Sequence, residues 1–125
     1  KGGRSGALCY LYDVFPTLCD LTGLPTPETV EGSSLTPVLG GRSKQVRDSM
    51  FFAYREFQRA AKMDGHKLIE YAVKGRRTTQ LFDLGKDPWE MNDLSGSAAH
   101  AERVRDLRDS LRAWMRKTDD PAQWV

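Results

Sequence analysis

"MDGHKLIEYAVKGRRTTQLFDLGKDPWEMNDLS", residues 63–95, decides the fold. Asp64-Gly65 separates the strand-like runs "QRAAKM" (58–63) and "HKLIEYAV" (66–73). Such a two-residue break is the strongest short hairpin signal, because both turn positions need positive φ. Lys74-Gly75-Arg76 makes a second, looser turn into "TTQLFDL". Upstream, "MFFAYRE" (50–56) is rich in aromatics and reads as a buried strand. Four strands joined in sequence by short connections give an antiparallel meander. Along the third, Ile69, Tyr71 and Val73 share one face, and Leu68, Glu70 and Ala72 the other. Only one side is solidly apolar, so one face wants a cover.

Residues 98–117 supply it, with Val104, Leu107, Leu111, Trp114 and Met115 on one helical stripe. Ser97 is the expected N-cap, Arg105–Asp109 an outward (i, i+4) pair, and Arg112, Arg116 and Lys117 suit the negative helix end. The fold expected is α+β: over 46–125, a four-stranded antiparallel sheet packed against a long C-terminal helix, preceded by a helical tail.

In that tail, Asp13 is read as an N-cap, with Pro16 in the first turn and Gly23 and Pro25 ending the helix. The helix is apolar on most sides and expects burial on most sides, so the chain is expected to dimerise or dock it elsewhere. A short helix is expected over Leu35–Leu39, capped by Ser33 or Ser34. The prolines and the Gly40-Gly41 pair mark a boundary near residue 45.

The chain has 125 residues, a net charge of +2 and no apolar run long enough to cross a bilayer. Neither nucleic acid nor a membrane surface is expected as a partner. It begins at Lys1 with no initiator Met and no signal-like segment, which reads as a piece of something longer. Cys9 and Cys19 match no zinc spacing and no CxxC motif, so a pair of buried reduced thiols is expected rather than a disulfide. Localisation stays open.

Catalytic patterns are sparse. His66 follows the hairpin turn and His100 lies in the first turn of the long helix, with no third group for a triad and no GxSxG elbow. Gly2, Gly3 and Gly6 make neither a Walker nor a Rossmann pattern. "KGRR" (74–77) reads as a solvated turn. Asp83, Asp87, Glu90 and Asp93 lack the alternation and glycine of a calcium loop. Asp87-Pro88 is better read as a turn whose carboxylate bonds downstream backbone.

The ordered series of segments carries a resemblance. "YDVFPTLCDLTGLPTP" supplies Asp13, Pro16, Thr17, Leu18, Asp20, Leu21, Gly23 and Pro25. "VEGSSLTPVLGG" supplies Gly32, Ser34, Leu35, Pro37 and Leu39. "RAAKMDGHKLIEY" supplies Asp64, Gly65, Lys67, Leu68 and Ile69. "TTQLFDLGKDPWEMNDLS" supplies Leu81, Phe82, Asp83, Leu84, Asp87, Pro88, Glu90 and Leu94, with Asp93 where the family often has a second Asn. Together they resemble the C-terminal third of the formylglycine-dependent sulfatases, the arylsulfatase group of the alkaline-phosphatase-like superfamily. The resemblance implies that residues 1–45 are the tail of a large α/β catalytic domain and 46–125 its small subdomain. It implies a parent that hydrolyses sulfate esters with formylglycine and calcium, and makes a periplasmic or secreted parent plausible. No catalytic, cofactor or metal residue carries over, because neither cysteine sits in the Cys-x-Pro-x-Arg motif. Lys1 carries no site assignment. In several family members the small subdomain borders the substrate cleft, which makes His66 and Arg59 candidates for substrate-fringe contacts. The partner expected is the remainder of the parent chain, and the isolated chain is expected to be inactive. A related phosphate or phosphonate ester hydrolase and a stand-alone binding module are the alternatives.

Overall fold

The computed structural model describes residues 2–122 and 124–125, so Lys1 lies outside the described residues. The chain divides into two compact units, Lys1–Asp48 and Ser49–Val125.

The second unit is a meander of β1 (Ser49–Tyr54), β2 (Gln58–Met63), β3 (His66–Val73) and β4 (Arg76–Asp83), in spatial order β1-β2-β3-β4. Both hairpins downstream of β2 close on two positive-φ residues, Asp64 (49°) with Gly65 (72°) and Lys74 (51°) with Gly75 (75°). The second turn is thus as tight as the first, not looser, because Lys74 accepts the left-handed backbone the geometry imposes. The β1 strand is an edge strand, and only Met50 of it is fully buried. Its aromatics do not make it a central strand: Phe52 and Tyr54 are exposed.

A 3-10 turn (Ala98–His100) leads into the long helix, Ala101–Lys117. Ser97 sits at the cap position of that turn, without a side-chain capping bond. The helix covers the Leu68–Glu70 face of the sheet. Ala61, Leu68 and Leu81 stand side by side in register and meet Val104, Leu107, Leu111 and Met115. The Ile69–Tyr71 face, the more apolar by sequence, instead carries a smaller cluster of Ala60, Ile69 and Phe82. Two things let the helix settle on the face that contains a glutamate. Ala61 leaves room for Leu107 and Leu111, and Arg108 neutralises Glu70 with a 2.8 Å bond from Nε to Oε1. Thr79 Oγ1 donates to the other Glu70 oxygen at 2.8 Å. Asp109 pairs with Arg112 at 3.6 Å, not with Arg105. Trp114 is half-buried and donates from Nε1 to Ser49 Oγ at 2.7 Å.

The first unit holds α1 (Val14–Thr22) and α2 (Thr36–Leu39). We label the long helix α3. The α1 helix ends on Gly23 at φ 71°, where the Leu24 amide donates to the Cys19 carbonyl. Asp13 precedes the helix but does not cap it with its side chain. Its carboxylate, fully buried, accepts from the Tyr10 amide at 2.7 Å, from the Ser33 amide at 2.9 Å and from both Nη atoms of Arg47. A 3-10 turn, Leu11–Asp13, runs directly into α1, so the Val14 amide already donates to the Leu11 carbonyl and Pro16 has no amide to cap. Thr17 Oγ1 donates to the Asp13 carbonyl and accepts the Leu35 amide. Gly32 passes so close that a Cβ there would overlap the Tyr12 carbonyl oxygen. Val14, Phe15, Leu18 and Leu21 lie on the exposed side of α1. Cys9 is exposed and Cys19 buried, both as free thiols, so only one matches the expected buried pair.

Candidate functional site

The type of turn at Asp64-Gly65 fixes His66. As the first residue of β3, it stands opposite Asp83, the last residue of β4. Its Nδ1 lies 2.9 Å from the Asp64 carbonyl oxygen, which can only accept, so the proton resides on that nitrogen. Nε2 faces the Asp83 carboxylate at 3.9 Å. Asp83 is in turn anchored by the amides of Gly85 (3.0 Å) and Lys86 (3.3 Å), and the Lys86 ammonium stands 3.4 Å away. Burial works to raise the Asp83 carboxyl, but these amides and the ammonium outweigh it and leave it below the ordinary carboxylate range. Arg103 reaches the Asp64 carboxylate at 3.3 Å and so ties the turn to α3. This corner of the sheet therefore presents an oriented imidazole among fixed charges.

The loop after β4 is held by its own acids. Asp87 accepts the Asn92 amide at 2.8 Å and Asp93 accepts those of Leu81 and Ser95 at 3.0 and 2.9 Å. Backbone amides from Met91 and Asn92 hold the Asp87 carboxyl below its usual range. The turn reading of Asp87-Pro88 is thus realised, and these carboxylates are occupied by backbone. Glu90 forms a two-oxygen bridge to Lys67, both contacts at 2.9 Å.

Arg59 lies elsewhere. It is near the far end of β2, opposite Ala53 and Glu70, while His66 pairs with Met63 at the other end. Four residues of strand separate them, about 13 Å. Arg59 is buried, its Nε and Nη2 bond Asp120 at 2.8 and 2.9 Å, and its remaining donor serves the Arg55 and Gln58 carbonyls. Trp124 lies 5.9 Å from the guanidinium. The two fringe candidates are not brought together, and the guanidinium of Arg59 is committed to the segment after α3. Asp120 and Arg108, which complete the charge network beneath and beside α3, were not singled out from the sequence. The sequence shows only that Arg108 borders the apolar stripe of α3; its partner Glu70 lies thirty-eight residues away and is brought to it by the fold.

No hydroxyl or thiol among the described residues bonds a histidine ring, and no three of His, Cys, Asp and Glu converge there as a metal would need. A formylglycine or calcium centre therefore finds no fitting set in these residues.

A family model described as N-sulphoglucosamine sulphohydrolase, C-terminal, matches residues 1–117. The chain belongs to that family. The N-acetylglucosamine-6-O-sulfatase of Bacteroides thetaiotaomicron is 28% identical, over 96% of this chain and 24% of its own length. An arylsulfatase of Clostridium perfringens is 33% identical over 89% of this chain and 23% of its own. A structure solved in complex with its substrate D-glucosamine-2-N,6-O-disulfate superposes with a TM-score of 0.74 at 26% identity, over 90% of this chain and 25% of that one. This sulfatase C-terminal chain thus spans about a quarter of the length of the curated relatives it matches. The resemblance read from its four motifs and the α+β fold are both established.

Proposed function

We infer that the chain is the C-terminal subdomain of an enzyme that hydrolyses sulfate esters. The observation that carries this reading is the match to the sulfatase C-terminal family over residues 1–117. Formylglycine and calcium, which sulfatases use to attack and polarise the ester, would belong to the remainder of the parent. Residues 1–45 would be the end of its catalytic domain and 46–125 the small subdomain. His66 is the residue assigned to the rim of the cleft: Asp64 fixes its Nδ1, which leaves Nε2, beside the Asp83 carboxylate, as an acceptor for a hydroxyl of the leaving group. Arg59 acts as the anchor of the segment around Asp120.

The exposed apolar side of α1 is the surface on which the rest of the parent would sit, and a second copy would cover it in the isolated chain. The test is to express the chain joined to its upstream coding region and assay aryl sulfate, aryl phosphate and phosphonate esters side by side. Faster turnover of the sulfate ester supports the reading, and preference for the phosphorus esters overturns it. The chain by itself is expected to turn over none of them.

A further inference from the structure

Residues 40–48 run from the end of α2 to the start of β1 and close the first unit. Arg42 and Lys44 lie there in an exposed run, and neither makes an ion pair among the described residues. The backbone around them is held only locally. The Gly41 amide donates to the Val38 carbonyl at 3.1 Å, and those of Arg42 and Ser43 to the Pro37 carbonyl at 2.8 and 3.0 Å. The Gln45 amide reaches the Ser43 hydroxyl at 3.3 Å. No strand ladder includes residues 42–45, so they can extend without opening the sheet, and segments of that kind unfold locally at little cost.

Other exposed basic residues are placed differently. Lys74, Arg76 and Arg77 sit at a two-residue turn of the β3–β4 ladder, where Val73 opposes Arg76. Arg112, Arg116 and Lys117 are helical, and the Lys86 ammonium is drawn to Asp83. Arg4 lies in the lead-in, where a cut would shed only a few residues. Arg47, close downstream of Lys44, is fastened. Both its Nη atoms bond Asp13, Nη1 also donates to the Leu8 carbonyl at 3.1 Å, and the guanidinium lies 4.8 Å from the Tyr10 ring. It cannot enter a protease pocket without leaving a buried carboxylate behind.

We propose that residues 42–45 are a processing site for a trypsin-like endopeptidase, and that Arg47 is the clasp that keeps the two products together. The protease hydrolyses Arg42–Ser43 or Lys44–Gln45. The peptide C–N bond breaks, and water gives its hydroxyl to the carbonyl carbon of the basic residue and a proton to the new amine. Lys44–Gln45 is the more open bond, because the Pro37 carbonyl restrains Arg42 and Ser43. Both bonds lie upstream of Arg47. After either cut, Arg47 belongs to the downstream piece and Asp13 to the upstream one. Their ion pair, with the Asp13 side chain fully buried, then joins two chains in place of a peptide bond. One consequence rests on the reading of residues 1–45 as the end of the catalytic domain: the processed parent is a two-chain enzyme whose small subdomain is held on by Arg47.

The experiment treats the native chain, biotinylated at a C-terminal tag, with a low dose of trypsin at neutral pH and reads the products by mass spectrometry. The first internal cut is expected at Lys44–Gln45 or Arg42–Ser43, with Arg47 and residues 74–77 spared. The double variant R42Q/K44Q is expected to lose intact chain about tenfold more slowly. On a streptavidin resin, the upstream piece of the cut native chain is expected to stay at neutral pH. It should leave at about pH 3, once Asp13 has taken up a proton. In R47Q the upstream piece should leave at neutral pH. The acid step on the native chain needs no substitution, so the clasp is tested even where R47Q fails to fold. A first cut downstream of Gln45, or a double variant cut at the native rate, overturns the site. Loss of the native upstream piece at neutral pH, or its retention in acid or in R47Q, overturns the clasp. No turnover is read, so the sulfatase assay stands or falls separately.

Discussion

The two units bury opposite kinds of residue. In Ser49–Val125 the centre is aliphatic: Leu68, Leu81, Leu107 and Leu111 have no exposed surface. In the first unit the fully buried side chain is Asp13, with Leu11, Phe15, Leu18, Leu21 and Leu24 outside. A sheet with a helix laid over it can close on itself. Two short helices joined by loops cannot, so the first unit is organised by a charge and its hydrogen bonds and leaves its apolar side for something else. The lesson is that compactness and completeness are separate properties: both units are compact, and only the second has its apolar stripe inside.

The sharpest way to break this contrast is Asp13→Ala. It removes a carboxylate that serves two loop amides and leaves Arg47 partly buried without its partner. Breaking such a pair costs about 3–5 kcal/mol, which should unfold the first unit while leaving the dispersed amide signals of the second in a ¹H–¹⁵N spectrum. The same carboxylate sets a pH response. Burial pushes the Asp13 carboxyl up, but Arg47 and the Ser33 and Tyr10 amides outweigh it and hold it below its ordinary value. A carboxyl depressed in the folded state stabilises fully above its unfolded pKa, near 3.9, and that contribution is lost as pH falls through the lower folded value. Acid titration should therefore disorder residues 8–35 below about pH 4. Loss of the second unit first would reverse the assignment.

Leu111→Ala comes next. It opens a cavity against the Ala61–Leu68–Leu81 row and should cost about 2–5 kcal/mol in urea unfolding of the second unit. The first unit should not respond. The smallest effect on stability is expected from Leu18→Asp with Leu21→Asp on the exposed side of α1, within about 0.5 kcal/mol for the monomer. The same pair of changes should abolish concentration-dependent association in sedimentation equilibrium. A native chain that sediments as a monomer at all concentrations would show that the apolar side needs no cover.

What the sequence disclosed follows from range. The hairpin at Asp64-Gly65, the order of the strands and the stripe on α3 depend on neighbours a few residues apart, and periodicity reports those directly. The side of the sheet that α3 covers depends on Glu70 meeting Arg108, thirty-eight residues away, and on the small size of Ala61. Alternation along one strand cannot register either. Asp13 was misread for a related reason: an aspartate before a helix looks like a cap, and only Ser33 and Arg47, far along the chain, reveal its other use. For the candidate site, the turn that orients His66 was legible, but its Asp83 partner depended on the β3–β4 register. Arg59 looked available because Asp120, sixty-one residues on, was not linked to it.

The loop after β4 has a consequence for how the molecule meets its own kind. The backbone of Leu81 is engaged from outside the sheet by the Asp93 carboxylate and the Leu94 amide, and the Thr79 carbonyl by the Ser95 hydroxyl. Those groups would otherwise be the template for a foreign strand. The segment Asp93–Ser95 thus works as a hem: it finishes the last strand and denies fibril growth a place to start along that border.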